Sequence, residues 1–436
     1  MNSKELLKRR RMLMRMVGSN GVAVIPSAEL VQRSRDVDYS FRQDSDFLYL
    51  TGFEEPDALA ILLPDQAGGQ YILFCRERDA EKEIWNGRRA GLSGARKDYF
   101  ADKAYAIRKL DEILPKLLSG RERIFYPMGR DASFDRKIIR WVNQSRGSSR
   151  TTSHIQQELL SLDYLLHDMR LYKSHNEVSL MRQAAKVSIA AHKRAMRACK
   201  PGMHEYEVEA ELLYEFKKAG CAAAYPCIVG GGKNSCILHY TENKQVLGDG
   251  DMLLIDAGAE YQGYASDITR TFPVNGIFSK AQREAYELVL EAQAAAIKKA
   301  IPGNHWNDPH NEAVKVLTKG LVSLGLLQGR PAKLIREGEY RRFFMHRTGH
   351  WLGLDVHDVG DYRIGDEWRL LEPGMMLTVE PGLYITKAKD VAKCFWDTGI
   401  RIEDDVLVTN EGNKVLTDAL TRGPDEIEAL MASSVH

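Results

Sequence analysis

The pattern of apolar and polar positions changes character about 170 residues into the chain. Before that point, short apolar runs alternate with turns. VAVIP at 22–26, DALAILLP at 57–64 and QYILFC at 70–75 each read as a buried strand. Segments 1–16, 102–119 and 131–145 carry the spacing of amphipathic helices. Strands interleaved with helices predict an α/β domain with its own core. From Glu177 a helical periodicity runs to about Cys199 and stops at Pro201 and Gly202. A second helix is predicted from Glu205 to Ala219, closed by Gly220. Glycines 230–232, strands and the segment 250–272 follow. Helices return at 279–300 and 307–325, and roughly the last 95 residues read as strand and turn. The boundary falls near 172, giving domains 1–172 and 173–436.

The second domain repeats itself. GDMLLIDAG (250–258) aligns without a gap on GMMLTVEPG (374–382), pairing Asp256 with Glu380 at the end of an apolar run. KPGMHEYEVEAEL (200–212) and IPGNHWNDPHNEA (301–313) share PG-x-H between two predicted helices. The reading is an α+β domain built by internal pseudo-two-fold duplication, its two halves facing one cleft. The period is far too long for a solenoid.

Each half brings a second acid. Asp267 follows Asp256 by eleven residues, the reach of a hairpin, and Glu403 follows Glu380 across a longer loop, on a predicted strand. Singly, an acid at a strand end is a turn cap. Four in one apolar cleft cannot all ionise uncompensated, so they must bind protons or meet cations. Two divalent metals would neutralise them. FFMHRTGHWLGLDVHDVG adds His346, His350 and His357, of which one suits a metal and the others a substrate. This is not an HExxH helix, because no Glu follows His346. An oxygen-rich set with one imidazole favours Mn²⁺, with Co²⁺, Fe²⁺ or Zn²⁺ tolerated. VGGGKNS lacks GxxxxGK[ST], so its glycines read as a tight turn near the cleft rather than a phosphate loop.

Composition narrows the class. Net charge is +1 from 61 basic and 60 acidic residues, which argues against nucleic acid as the partner. The run KRRRMLMR reads as the polar face of the first helix. No apolar run is long enough for a leader or a membrane span. Six cysteines without a CxxC pair read as scattered core thiols in a reduced, cytoplasmic chain.

LIDAG, SDITRTF, HWLGLDVHD, LTVEPGLY and IRIEDD together resemble the signature of the pita-bread metallopeptidases. RQDSDFLYLTGFEEPDA, EIWNGRRAG and ILHYTEN are similar to bacterial aminopeptidase P (Xaa-Pro aminopeptidase) within that family. The resemblance runs from near residue 30 to EIEALM. It implies a pita-bread catalytic domain and a dinuclear exopeptidase that releases the first residue from peptides with proline second. Prolidase and inactive peptidase-like binding proteins share the architecture. It implies that Asp256 holds one metal through both oxygens, Asp267 and Glu403 bridge the pair, and His350 and Glu380 complete the other. Glu380 would also accept the proton of the attacking water. His239 and His357 would contact the substrate carbonyl. His346, Arg401 and Tyr384 would serve the proline side. Trp85 would reach a neighbouring subunit's site in a homo-oligomer, a tetramer or dimer.

Overall fold

The computed structural model describes residues 3–65, 68–147 and 157–433. Two compact units divide at Met169 and Arg170. In the first, VAVI, LAILL and YILFC are buried on both faces, and they make the centre of a six-stranded sheet. Its order is Lys103–Ala106, Gln70–Cys75, Leu59–Leu63, Gly21–Pro26, Arg123–Tyr126, Glu158–Ser161. Only Leu59–Leu63 runs antiparallel to its neighbours. Continuous apolar runs are what a sheet covered on both sides requires.

Three expectations for this unit change. The segment 102–119 is not one helix. Lys103–Ala106 is an edge strand parallel to Gln70–Cys75, and the α-helix is Leu110–Leu118. Helix-forming residues here gain more from pairing with a waiting strand than from propensity. The first helix spans Ser3–Val17, and residues 1 and 2 lie outside the described residues. Its arginines are not simply a polar face. Arg9 and Arg10 are buried, donating to the carbonyl oxygens of Tyr49 and Leu50 and lying over the rings of Tyr49 and Tyr71. Burial is tolerated because the guanidinium groups find acceptors and aromatic faces. The third concerns cysteines in both units. Cys75, Cys199, Cys221 and Cys227 are buried and free, but Cys394 is exposed.

In the second unit helices His175–Ala198 and Glu205–Lys218 precede the first acid motif, and Lys280–Ile297 and Asp308–Ser323 precede the second. Ser174 and Ser279 open the leading helix of each pair with a capping box. The duplication extends to single hydrogen bonds. Gly202 N donates to Leu247 O at 2.9 Å, and Gly303 N donates to Leu371 O at 3.0 Å. Leu247 N returns to Met203 O, and Leu371 N to Asn304 O, each at 2.8 Å. Both turn glycines have positive φ, 89° and 84°, which only glycine adopts freely. The strands match as well: Met252–Asp256 pairs antiparallel with Thr269–Pro273, and Met376–Val379 with Asp404–Thr409. The tail carries a helix the strand-and-turn reading omitted, Pro424–Ala432. Glu403 lies between strands Thr398–Arg401 and Asp404–Thr409 rather than within one.

Candidate active site

The four acids stand at the tips of these strands. Asp256 ends its strand and pairs with Thr269, two residues beyond Asp267. Glu380 follows Val379, whose partner is Asp404, one residue beyond Glu403. Antiparallel register therefore brings each second acid back beside the first. The backbone after Asp256 is pinned from behind by the helix His175–Ala198. His192 Nε2–H donates to Ala257 O at 3.0 Å, and Ala259 N donates to Ser188 Oγ at 2.9 Å. Gly258 is required there, because a Cβ would collide with the carbonyl oxygen of Ser266.

All four acids line one cavity of about 390 Å³, with Tyr225, His239, His346, His350, His357 and Arg401. Tyr384 joins through its hydroxyl. Trp85 does not line this cavity; it lies in the first unit on the helix Ala80–Asn86, 83% exposed.

Hydrogen bonds set the direction of each group. His350 Nδ1–H donates to Trp351 O at 2.9 Å, which turns Nε2 toward Asp267 Oδ2 at 3.3 Å and Glu380 Oε1 at 3.7 Å. Thr269 Oγ1–H donates to Glu403 Oε2 at 2.6 Å. Arg401 donates from Nη2 to Asp256 Oδ2 at 2.6 Å and from Nη1 to Tyr384 Oη at 2.9 Å. His346 Nδ1–H is committed to Arg347 O at 2.7 Å, so its Nε2 accepts the Tyr384 hydroxyl proton at 2.9 Å. Arg401, Tyr384 and His346 thus form one oriented chain.

The electrostatics call for a cation. Burial, followed by the field of the neighbouring carboxylates, pushes Glu403 well up, and burial pushes Glu380 up to about 7. Burial also raises Asp256, against the pull of Arg401. Burial works on Asp267 in the same direction, but the hydrogen bond and charge of His350 outweigh it and hold Asp267 low. His350 is the reciprocal case: burial disfavours its charge, yet Asp267 and Glu380 lift it to about 9. Without a cation, then, burial drives Asp256, Glu380 and Glu403 toward their protonated forms, and only the charge of His350 keeps Asp267 ionised.

Tyr225 sharpens the point. Its hydroxyl lies 2.7 Å from Asp256 Oδ1 and 2.5 Å from Asp267 Oδ1. One phenolic proton cannot serve both contacts, so the second needs a proton on a carboxyl group or a positive ion alongside. Asp267, His350 and Glu403 offer donor atoms within 4.8 Å of one another. Both Asp256 oxygens already have donors, and each keeps a further lone pair for an ion. The residues therefore fit a metal centre made of hard oxygen donors and one imidazole.

A sequence profile of metallopeptidase family M24 matches residues 179–410, more than half of the chain. The chain belongs to that family. A profile for the aminopeptidase P N-terminal domain matches residues 6–126 ahead of the M24 region. Among M24 relatives, the Xaa-Pro aminopeptidase of Escherichia coli is 44% identical, over 99% of this chain and 98% of its own. The solved structure of Pseudomonas aeruginosa aminopeptidase PepP is 53% identical, covers 99% of this chain and 98% of its own, and superposes with a TM-score of 0.97. A zinc-substituted E. coli aminopeptidase P in complex with product, 43% identical over 99% of this chain and 98% of that one, superposes with a TM-score of 0.96. The expected pita-bread fold with an aminopeptidase P-type N-terminal domain is borne out by these full-length matches.

Sequence reasoning missed two groups here. Tyr225 belongs to no motif; its one signal is that it closely precedes Ile228–Gly231, the strand paired with Met252–Asp256. Asp405, in the run EDD, is buried behind Asp267. It accepts from Ser266 Oγ at 2.9 Å and from Asp267 N at 3.2 Å.

Proposed function

We propose that the chain is a metal-dependent Xaa-Pro aminopeptidase, which removes the first residue from peptides with proline at position two. One observation carries the reading. Four carboxylates from two duplicated halves converge with an imidazole in a cavity edged by three further histidines and Arg401. The full-length identity to E. coli Xaa-Pro aminopeptidase supports it.

Asp256, Asp267, His350, Glu380 and Glu403 would hold two metal ions, with Mn²⁺ the best match to an oxygen-rich set and Co²⁺, Zn²⁺ or Fe²⁺ accepted. When bound, such ions lower the pKa of the attacking water and polarise the scissile carbonyl. Glu380 takes the proton of that water on a carboxylate oxygen and returns it to the proline nitrogen. That nitrogen needs the proton to leave, because it departs as the neutral amine rather than as a strongly basic amide anion. His239 and His357 lie on the cavity wall, where they hydrogen-bond the carbonyl oxygen as charge develops. Such a donor is typically worth about 3–4 kcal/mol. Burial, with the charge of Arg401 beside it, lowers His346 to about 3. It is therefore neutral at pH 7 and serves as a flat wall for the proline ring, oriented by Tyr384.

The exposed Trp85 suits an arm that reaches another copy, in a homo-oligomer of four or two chains. Free thiols and the lack, among the described residues, of any helix long and apolar enough to cross a membrane support a cytoplasmic setting.

The deciding assay compares Xaa-Pro-Yaa with Xaa-Pro, with Mn²⁺ present and after chelation. Hydrolysis of the tripeptide that chelator abolishes and Mn²⁺ restores is the expected result. Faster turnover of the dipeptide would make the chain a prolidase, and chelator-resistant activity would overturn the metal reading.

A further inference from the structure

We propose that the first unit holds a second binding site: a cleft for a small organic anion with an apolar body. The cleft has a volume of about 810 Å³ and shares no lining residue with the active-site cavity. That volume is of the order that small-molecule sites occupy. It opens at the carboxyl ends of three parallel strands. Pro26 and Ser27 close Gly21–Pro26, Arg76 and Glu77 follow Gln70–Cys75, and Ile107 and Arg108 follow Lys103–Ala106. Open α/β sheets bind ligands at this edge, where the connections leaving the strands part and leave a crevice.

The cations along the cleft are unequally committed. Arg108 pairs with Glu77 at 2.6 Å, Arg78 with Glu83 at 2.5 Å, and Lys82 with Asp79 at 3.7 Å. The guanidinium of Arg89 has no carboxylate partner among the described residues, although the residue's backbone N–H donates to Glu83 Oε1 at 3.2 Å. Its guanidinium makes one hydrogen bond, from Nη1 to Glu77 O at 3.4 Å, and its Nε is buried without an acceptor. Arg76 reaches Glu55 at 3.3 Å, and its Nε too is buried and unpaired. Lys137 lines the same cleft without an ion pair among the described residues. Two buried guanidinium N–H groups without acceptors are unfavourable unless something else supplies one.

The remainder of the lining sets the ligand class. Glu29 and Asp57 also border the cleft, so a bare polyanion is disfavoured. Half-buried Ile107 and Leu110 provide an apolar wall, joined by the edge of Phe134, 8% exposed. Trp141 behind them is buried, its indole N–H given to Asp111 at 2.6 Å, so it supplies no polar group to the ligand. A carboxylate or phosphate on an aromatic or aliphatic body satisfies both walls: the anion meets Arg76, Arg89 and Lys137, and the body packs on Ile107 and Leu110.

Calorimetric titration of the metal-loaded full chain tests this with three probes: phenyl phosphate, N-acetylphenylalanine and inorganic phosphate. The acetyl group removes the free amine that an aminopeptidase centre would bind. Saturable binding of at least one ring-bearing anion is expected, at least about tenfold tighter than inorganic phosphate. Whichever ring-bearing probe binds more tightly distinguishes phosphate from carboxylate as the source. Arg89→Gln should weaken that binding about tenfold or more and leave peptide hydrolysis unchanged. Lys137 is exposed, so Lys137→Gln keeps the fold and should weaken binding too. No saturable heat up to about 10 mM, or affinities that neither variant changes, would overturn the proposal. Inorganic phosphate binding as tightly as phenyl phosphate would overturn the ligand class.

Discussion

Asp358, beside His357, anchors a prediction that separates stability from chemistry. It is buried and accepts from Arg170 Nη2 at 2.5 Å and from Lys173 Nζ at 2.9 Å, both cations being buried as well. Asp358→Asn keeps the shape and removes the charge. Breaking a buried pair from one side typically costs about 3–5 kcal/mol, because the partner's charge stays behind. Arg170 retains Asp355 at 2.8 Å, whereas among the described residues Lys173 keeps only the carbonyl oxygen of Leu171 at 3.4 Å. The lower end, about 3 kcal/mol, is therefore expected. At about 2–4 °C per kcal/mol for a unit of this size, the melting temperature should fall by roughly 6–12 °C. The loop carrying His357 loses its anchor, so kcat should also drop about tenfold or more at 25 °C, where the variant is still folded. The pH dependence has a definite sign. Burial opposes ionisation of Asp358, but Lys173 and Arg170 hold its carboxyl below the ordinary range. Its contribution is then complete above the unfolded value of about 3.9 and fades as pH falls through the lower folded value. The gap in melting temperature between parent and variant should begin to narrow below about pH 4. Scanning calorimetry from pH 7 to pH 3 reads both effects. A variant within about 2 °C of the parent at pH 7, or a gap that stays constant across the range, would refute the reasoning.

Glu380→Gln should lower kcat by about 10²–10⁴ with the melting temperature nearly unchanged, as read by steady-state kinetics and calorimetry. Gly258→Ala should destabilise by about 1–3 kcal/mol or more, seen in urea unfolding, because the new Cβ drives into Ser266 O behind Asp267. Burial, together with Arg347 and Arg341, lowers His310 to about 4, while Thr348 Oγ1 lies 2.9 Å from its Nδ1. Its folded value is below the unfolded one, so the stability it confers is full above about pH 6.5 and is lost as pH falls toward about 4. His310→Gln should flatten the parent's loss of melting temperature between those limits.

The long helices and the doubled acid motif were legible because each rests on a local pattern: a 3.6-residue period closed by Pro-Gly, or an apolar run ending in a carboxylate. What escaped depends on partners distant in the chain. Lys103–Ala106 becomes a strand only because Gln70–Cys75 waits beside it. Arg9 and Arg10 are buried because carbonyl oxygens some 40 residues away accept from them. Tyr225 acquires its place 31 residues from Asp256 and 42 from Asp267 by strand pairing, which no spacing in CAAAYPCIVG encodes.

The duplication also explains why one half supplies the imidazole. In the first half Ile228 pairs with Asp256 and Gly230 with Leu254. In the second, Glu380 N donates to Thr348 O and Thr378 N to His350 O, each at 2.9 Å. Asp256 corresponds to Glu380 and Leu254 to Thr378, so His350 occupies the position of Gly230. The segment IVGG, 228–231, is thus the counterpart of TGHW, 348–351. A histidine cannot simply be placed in the first half as well, because a Cβ on Gly230 would lie 2.9 Å from the backbone of Asn234. There the chain turns into the 3-10 helix Gly232–Cys236, on a Gly232 with φ of 50°. That turn leads to Tyr240, whose hydroxyl donates to buried Glu205 at 2.7 Å, and to His239 on the cavity wall. One copy of the repeat therefore gives its strand to a donor nitrogen. The other gives up that side chain so that its backbone can turn and bring His239 to the cavity wall.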